Sequence, residues 1–206
     1  SVGPHSMQAQ YLIQYAHSEQ RSTRQAVSRQ LPHGEGHHHD IARPEREPAA
    51  AEEFAHARLG RALGAGKRAY WICPLVEESD KLDIAAAEDR FAALAHALPD
   101  ITVALAHGKM KAGERDSAMQ AFRNGTAQLL VATTVVEVGV DVPEASIIII
   151  EHAERFGLAQ LHQLRGRVGR SDQQSSCLLV YHGALSETAA KRLGVMRDTN
   201  DGFVIA

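Results

Sequence analysis

Two cysteines in 206 residues are too few for a disulfide framework, and Cys73 and Cys177 lie far apart in separate apolar runs. That suits buried thiols in a reducing compartment. No apolar run approaches the length of a membrane span, and no secretory leader is evident. Charge of one sign is also missing. A formal net charge of −3 does not announce a nucleic-acid binder, so any such contact must be local. A phosphate-cradling Gly-x-x-x-x-Gly-Lys-Ser/Thr loop is absent as well. Gly64-Ala-Gly-Lys67 has the glycine-lysine pair without the spacing or the following hydroxyl, and reads as a helix end. No acidic residue stands at a strand end in a magnesium-binding pattern, so the chain alone is not expected to hydrolyse ATP.

What is present is enough for a core: 44% of the residues are hydrophobic, which suits one domain with extra segments. Ser1 to Met7 reads as a cloning remnant. Residues 8–48 are rich in Gln, Ser, Arg and His with little periodic apolar content, and read as a linker or disordered segment. A broken helical stripe runs from Gln8 to Leu31. His37-His-His39 could bind a metal, but no cysteine accompanies it and nothing fixes its geometry, so a solvated linker is the preferred reading.

From about residue 50 the pattern sharpens. Ala55, Leu59, Ala62 and Leu63 form a helical stripe closed by Gly64 and Gly66. Strands are expected at 69–73, 101–105, 128–132, 147–150 and 177–181, and helices at 84–98, 114–122, 158–170 and 186–196. Ser186 and Thr188 are candidate caps of the last helix. Strands alternating with helices imply an α/β fold with a parallel sheet covered on both faces. Ligands bind beyond the carboxyl ends of such strands. Pro74, His107, Thr133 and Thr134 fall there.

The most informative stretch is Gln163-Leu-Arg-Gly-Arg-Val-Gly-Arg170. On a helix over 158–170, Gln163, Arg167 and Arg170 share one face, opposite Leu158, Leu161 and Leu164. Two permanently charged guanidinium forks beside a glutamine suit a triphosphate. Gly166 and Gly169 each weaken a helix by roughly 1 kcal/mol, which suggests close approach to the backbone. The ordinary alternative is a solvated basic face.

These strings resemble a known family. Residues 67–203 are similar to the second RecA-like motor lobe of superfamily 2 helicases, and within it to the RecG branch-migrating DNA helicases. The similarity rests on Tyr70-Trp-Ile-Cys-Pro-Leu-Val-Glu-Glu-Ser79, His107-Gly-Lys-Met-Lys111, Leu130 to Pro143, Phe156 to Arg170, Leu185-Ser-Glu-Thr188 and Thr199-Asn-Asp-Gly-Phe203. The middle strings are shared with the transcription-repair coupling factor Mfd. The resemblance implies a RecA-like lobe at 49–183 without its own phosphate loop, and at 184–206 the start of a helical hairpin that stops short of the family's loop.

It also implies roles. Arg167 and Arg170 look like arginine fingers reaching ATP bound, with Mg2+, on a first motor lobe of the same polypeptide. Gln163, Gly139 and Asp141 look like nucleotide contacts. By spacing alone, Asp141 is equally a turn residue before Pro143. Thr133 and Thr134 resemble hydroxyls that hold DNA phosphates, where the alternative is a strand end or helix cap. His107 and Gly108 resemble a second backbone-contact loop. The implied protein is a bacterial, cytoplasmic DNA helicase that regresses forks and migrates Holliday junctions in repair and recombination. The rival readings are the matching lobe of Mfd and a stand-alone binding module without catalysis.

Overall fold

The structure, a computed structural model, describes residues 9–16, 48–74, 80–133, 142–168, 175–182 and 184–198. Its elements run β1 (Ala9–Ala16), α1 (Pro48–Gly64), β2 (Arg68–Ile72), α2 (Asp80–Ala97), β3 (Val103–Ala106), α3 (Ala112–Arg123), β4 (Leu129–Ala132), β5 (Ala145–Ile150), α4 (Leu158–Arg165), β6 (Ser175–His182) and α5 (Glu187–Asp198). A short 3-10 turn, Ala153–Arg155, joins β5 to α4. The strands form one sheet in the order β1-β6-β5-β2-β4-β3.

Strands β2 to β6 pair in parallel, as the alternation of strands and helices leads one to expect. Successive side chains of β2 point to opposite faces and enter different cores. Tyr70 and Ile72 pack with Phe122, Leu161, Leu164, Leu193 and Met196, under α3, α4 and α5. Ala69 and Trp71 pack with Leu59, Leu63, Leu94 and Leu98, under α1 and α2. A sheet buried on both faces has no need for alternation of apolar and polar residues, which explains the continuous apolar run of the central strands.

Helix ends follow local chemistry. Gly66, at φ +87°, closes α1. Its N–H donates to Leu63 O (2.9 Å) and the Lys67 N–H to Ala62 O (3.1 Å), the paired bonds of a left-handed helix stop. Ser186 Oγ accepts from the Ala189 N–H at 3.2 Å, so Ser186 is the cap of α5. Arg68 Nη1 donates to Phe122 O (3.2 Å) and Arg123 O (2.7 Å), placing a cation on the carbonyl end of α3.

Two expectations are corrected. The linker reading of 8–48 fails at Ala9–Ala16, which pairs antiparallel with β6 along its whole length, Ala9 opposite His182 and Ala16 opposite Ser175. The segment Ala-Gln-Tyr-Leu-Ile-Gln-Tyr-Ala carries Tyr, Leu and Ile, residues that suit a pleated surface. The second correction concerns the helix at 158–170: α4 ends at Arg165 and Gly166 is its cap. Arg167 N–H donates to Leu164 O (3.0 Å) and Val168 N–H to Arg165 O (3.3 Å), tighter turns that take Arg167 off the helical face of Gln163.

Phe122 is fully buried and tilts against Tyr70, ring centroids 4.9 Å apart. Phe122→Ala is expected to destabilise the domain by about 3–5 kcal/mol, measured as the shift in urea unfolding, because both the cavity and the lost ring contact count.

Candidate functional site

The sheet register builds the site. Ile72 is in line with Ala132 and Ile150, and Ala132 with Ala106. One residue further on, Cys73, Thr133, Glu151 and His107 therefore form a row across the carboxyl ends of four adjacent parallel strands. The backbone continues the pairing into this row, with Cys73 N–H donating to Ala132 O (2.8 Å) and Glu151 N–H to Ile72 O (2.9 Å).

His107 and Thr133 belong to this row, as their positions after apolar runs led one to expect. Both are buried, His107 to 9% and Thr133 to 1% exposure, while Gly108 is exposed beside them. His107 Nε2 lies 3.7 Å from Glu88 Oε1 of α2, and its buried Nδ1 has no hydrogen-bond partner among the described residues. Thr134, Gly139, Asp141 and Arg170 lie outside the described residues, as does His37–His39.

Gln163 and Arg167 stand apart from the row, at the end of α4. Leu161 and Leu164 are buried and Leu158 packs on the same core, so α4 is pinned along one side as its leucine spacing predicts. Gln160 Oε1 accepts from the Gly157 N–H at 2.9 Å and fixes where the helix begins. Gln163 is exposed and Arg167 half-buried. The Arg167 guanidinium has no partner among the described residues. Arg165 behaves oppositely: it is buried, its Nη2 lies 3.1 Å from His162 Nδ1, and burial pulls its ordinary value down. A Cβ at Gly166 would meet only carbonyls of its own turn, Gln163 O at 3.4 Å and His162 O at 3.5 Å. These are ordinary van der Waals distances, so Gly166 meets no close approach among the described residues.

The strongest electrostatic feature of the row was not read from the sequence. Glu151 is 7% exposed and its carboxylate is a hub. Trp71 Nε1 donates to it at 3.1 Å and Arg90 Nε at 3.2 Å, with a second bond from Arg90 Nη2. The Arg90 guanidinium also lies over the Trp71 ring, 5.4 Å from its centroid. Burial alone would raise the Glu151 carboxyl, but the Arg90 charge and the bonds from Arg90 and Trp71 outweigh it and hold the group below the ordinary carboxylate value. The same carboxylate adds to burial in pushing the Cys73 thiol up. Burial raises Cys177 to about 12. Neither thiol is a nucleophile at neutral pH. One signal for Glu151 was available: a carboxylate directly after four isoleucines, at a strand end, needs a partner.

No group of three or more His, Cys, Asp or Glu that could hold a metal is formed among the described residues. No helix among them is long and apolar enough to cross a membrane.

Glu151→Ala is expected to cost about 3 kcal/mol in urea unfolding at neutral pH, since it strands the Trp71 indole N–H and removes the buried partner of Arg90. Glu151→Gln keeps an acceptor and costs less. Because the folded-state carboxyl is depressed, its contribution is full above the ordinary carboxylate value and fades as pH falls through the folded value. The gap between wild type and Glu151→Gln closes in acid.

Residues 55–172 match the helicase conserved C-terminal domain family. The chain is 59% identical over 149 residues to the ATP-dependent DNA helicase RecG of Acidithiobacillus ferridurans, covering 72% of this chain and 22% of that protein. It is 58% identical over 141 residues to the protein of that name from Escherichia coli strain K12, covering 68% of this chain and 20% of the relative. The chain thus spans about a fifth of the length of the curated relatives it matches. Among solved structures, RecG bound to a three-way DNA junction aligns with a TM-score of 0.63 at 38% identity, over 76% of this chain and 20% of that one. The yeast DEAD-box splicing factor Prp28 aligns at 0.52 and 17% identity, over 70% and 30%, a likeness of fold. With a parallel α/β sheet of RecA-like order and the arginine segment after β5, the chain belongs to the helicase conserved C-terminal domain family.

Proposed function

We propose that this chain is the carboxy-terminal motor lobe of a RecG-type, ATP-dependent bacterial DNA helicase that acts on forks and Holliday junctions in repair and recombination. The lobe proper runs over 49–183, and residues 184–206 begin the helical hairpin that couples it to DNA movement. The observation that carries this reading is the guanidinium of Arg167, which has no partner among the described residues and lies just past a helix whose other side is fixed in the core.

A guanidinium at a fixed place, without a partner among the described residues, is suited to an anionic ligand supplied from elsewhere. In this reading Arg167 and Arg170 donate to the phosphates of ATP held on a separate first lobe, where charge builds as the phosphoryl group transfers. Gln163, Gly139 and Asp141 approach the same nucleotide. Mg2+ belongs to the first lobe. His107, Gly108, Thr133 and Thr134 hold backbone phosphates of DNA at the carboxyl ends of β3 and β4. Such contacts carry no base sequence, which suits a motor that moves along any duplex.

In the intact protein, Arg167→Ala is expected to lower DNA-stimulated ATP hydrolysis by about 10³-fold or more, as loss of an arginine finger does, with DNA affinity little changed. Steady-state ATP turnover and fork binding, measured side by side, check this. Retained turnover would remove Arg167 from the site. A parallel loss of DNA binding would point instead to a misfolded lobe.

A further inference from the structure

Beyond β5 and β6 the chain carries a pair of imidazoles that the helicase reading does not use. His152 follows Glu151 and His182 ends β6. Their rings stack with centroids 4.1 Å apart and planes 28° from parallel. His152 is the one non-glycine residue of positive φ among those described, at φ +50°. A side chain in that region stores strain, of order 1–3 kcal/mol, unless its surroundings hold it there. The stack, the Glu154 carboxylate at 3.1 Å from Nδ1 and the bond from the Arg155 N–H to His152 O surround it there.

The two rings are not equivalent. His152 Nδ1 lies 3.1 Å from Glu154 Oε1, in a pair that is about one-fifth exposed on each side. Glu154 Oε2 is buried with no hydrogen-bond partner among the described residues. A proton on His152 is therefore matched by a carboxylate. Both ring nitrogens of His182 are buried without a partner among the described residues, so a cation there has no acceptor among them. The charged groups around it are His152, Glu151 and Glu154 from the end of β5 and the following turn, and Arg90 from α2. Arg192 of α5 reaches the same turn, its Nη2 donating to Glu154 O at 2.7 Å. From β1 the residue opposite His182 is Ala9, and the strand's ionisable side chains, Tyr11 and Tyr15, stand in register with Val180 and Ser176. Burial first, then the charge of His152 and of Arg90, disfavour the protonated ring, and the two glutamates oppose them only in part.

We propose that the His152–His182 stack is a one-proton latch that sets the position of the Ala153–Arg155 turn and hence of α4 and Arg167. With no proton or one, held on His152 against Glu154, the rings stay stacked. A second proton, taken from solvent by His182, puts two like charges face to face without a second acceptor. The rings part, His152 leaves the left-handed region, and the turn leading into α4 loses its seat. The link to Arg167 rests on the helicase reading, but the latch does not.

The test is an NMR titration of the imidazole nitrogens and backbone amides of this 206-residue chain between about pH 5 and 8. The expected result is that His182 takes its proton below the ordinary histidine value, and that amides over residues 153–168 shift with that second proton. In His152→Asn the protonation midpoint of His182 should rise, because the like charge is gone, and the amide response should shrink. Two rings that titrate independently, or amides over 153–168 that do not follow the second proton, would overturn the latch. No ATP or DNA enters the measurement, so failure of the helicase reading cannot be mistaken for failure of the latch.

Discussion

Everything at the candidate site depends on β2 being paired on both sides at a single register. Because Ile72 is level with both Ala132 and Ile150, three strands run out of ladder at the same height, and β3 joins them through Ala106. A slip of one residue in β2 would exchange its two faces, putting Tyr70 and Ile72 under α1 and α2 and Trp71 under α3 and α4. It would also move Trp71 away from Glu151. The hub of Glu151, Trp71 and Arg90 can therefore be seen as the polar lock on an apolar register. The sheet supplies most of the free energy, while the carboxylate accepts one alignment and rejects its neighbours. That division of labour fits what buried polar groups do well, which is specify rather than stabilise.

Legibility from sequence follows the same division. The central strands could be read because runs such as Tyr70-Trp-Ile and Ile147 to Ile150 are apolar throughout, and little but a doubly covered strand demands that. The leucines of α4 were legible because their spacing is a property of the helix alone. The end of α4 was not. Gly166 sits in ordinary helical geometry, so its presence does not say whether the chain goes on turning or tightens, and bonds from Arg167 and Val168 back to the preceding turn decide it. β1 was missed because an edge strand that meets the sheet after a long excursion leaves only a short apolar trace, and glutamine at two of its eight positions masked that.

At the candidate site, the positions directly after strands were legible because the fold class places ligands there, and the structure puts His107 and Thr133 at two of them. The partners of Glu151 were not found, since Trp71, Arg90 and Glu151 are brought together by three different elements, at sequence separations of 61 and 80 residues for the two bonds. Pairings of that kind exist only once the sheet order is known. The stacked histidines are illegible for the same reason: β5 and β6 must first lie side by side before residues 152 and 182 can meet.

The bond from Arg68 to the last carbonyls of α3 has a mechanical meaning. Arg68 begins the central strand, and α3 rises from the loop that carries His107. A 12-residue helix is about 18 Å long, so α3 is a strut that joins the loop at one end of the sheet to the first residue of β2 at the other. A force applied at the loop is then borne in compression along the strut and in shear along the ladder of β2, which returns it to the row it came from. The load path is closed within one lobe.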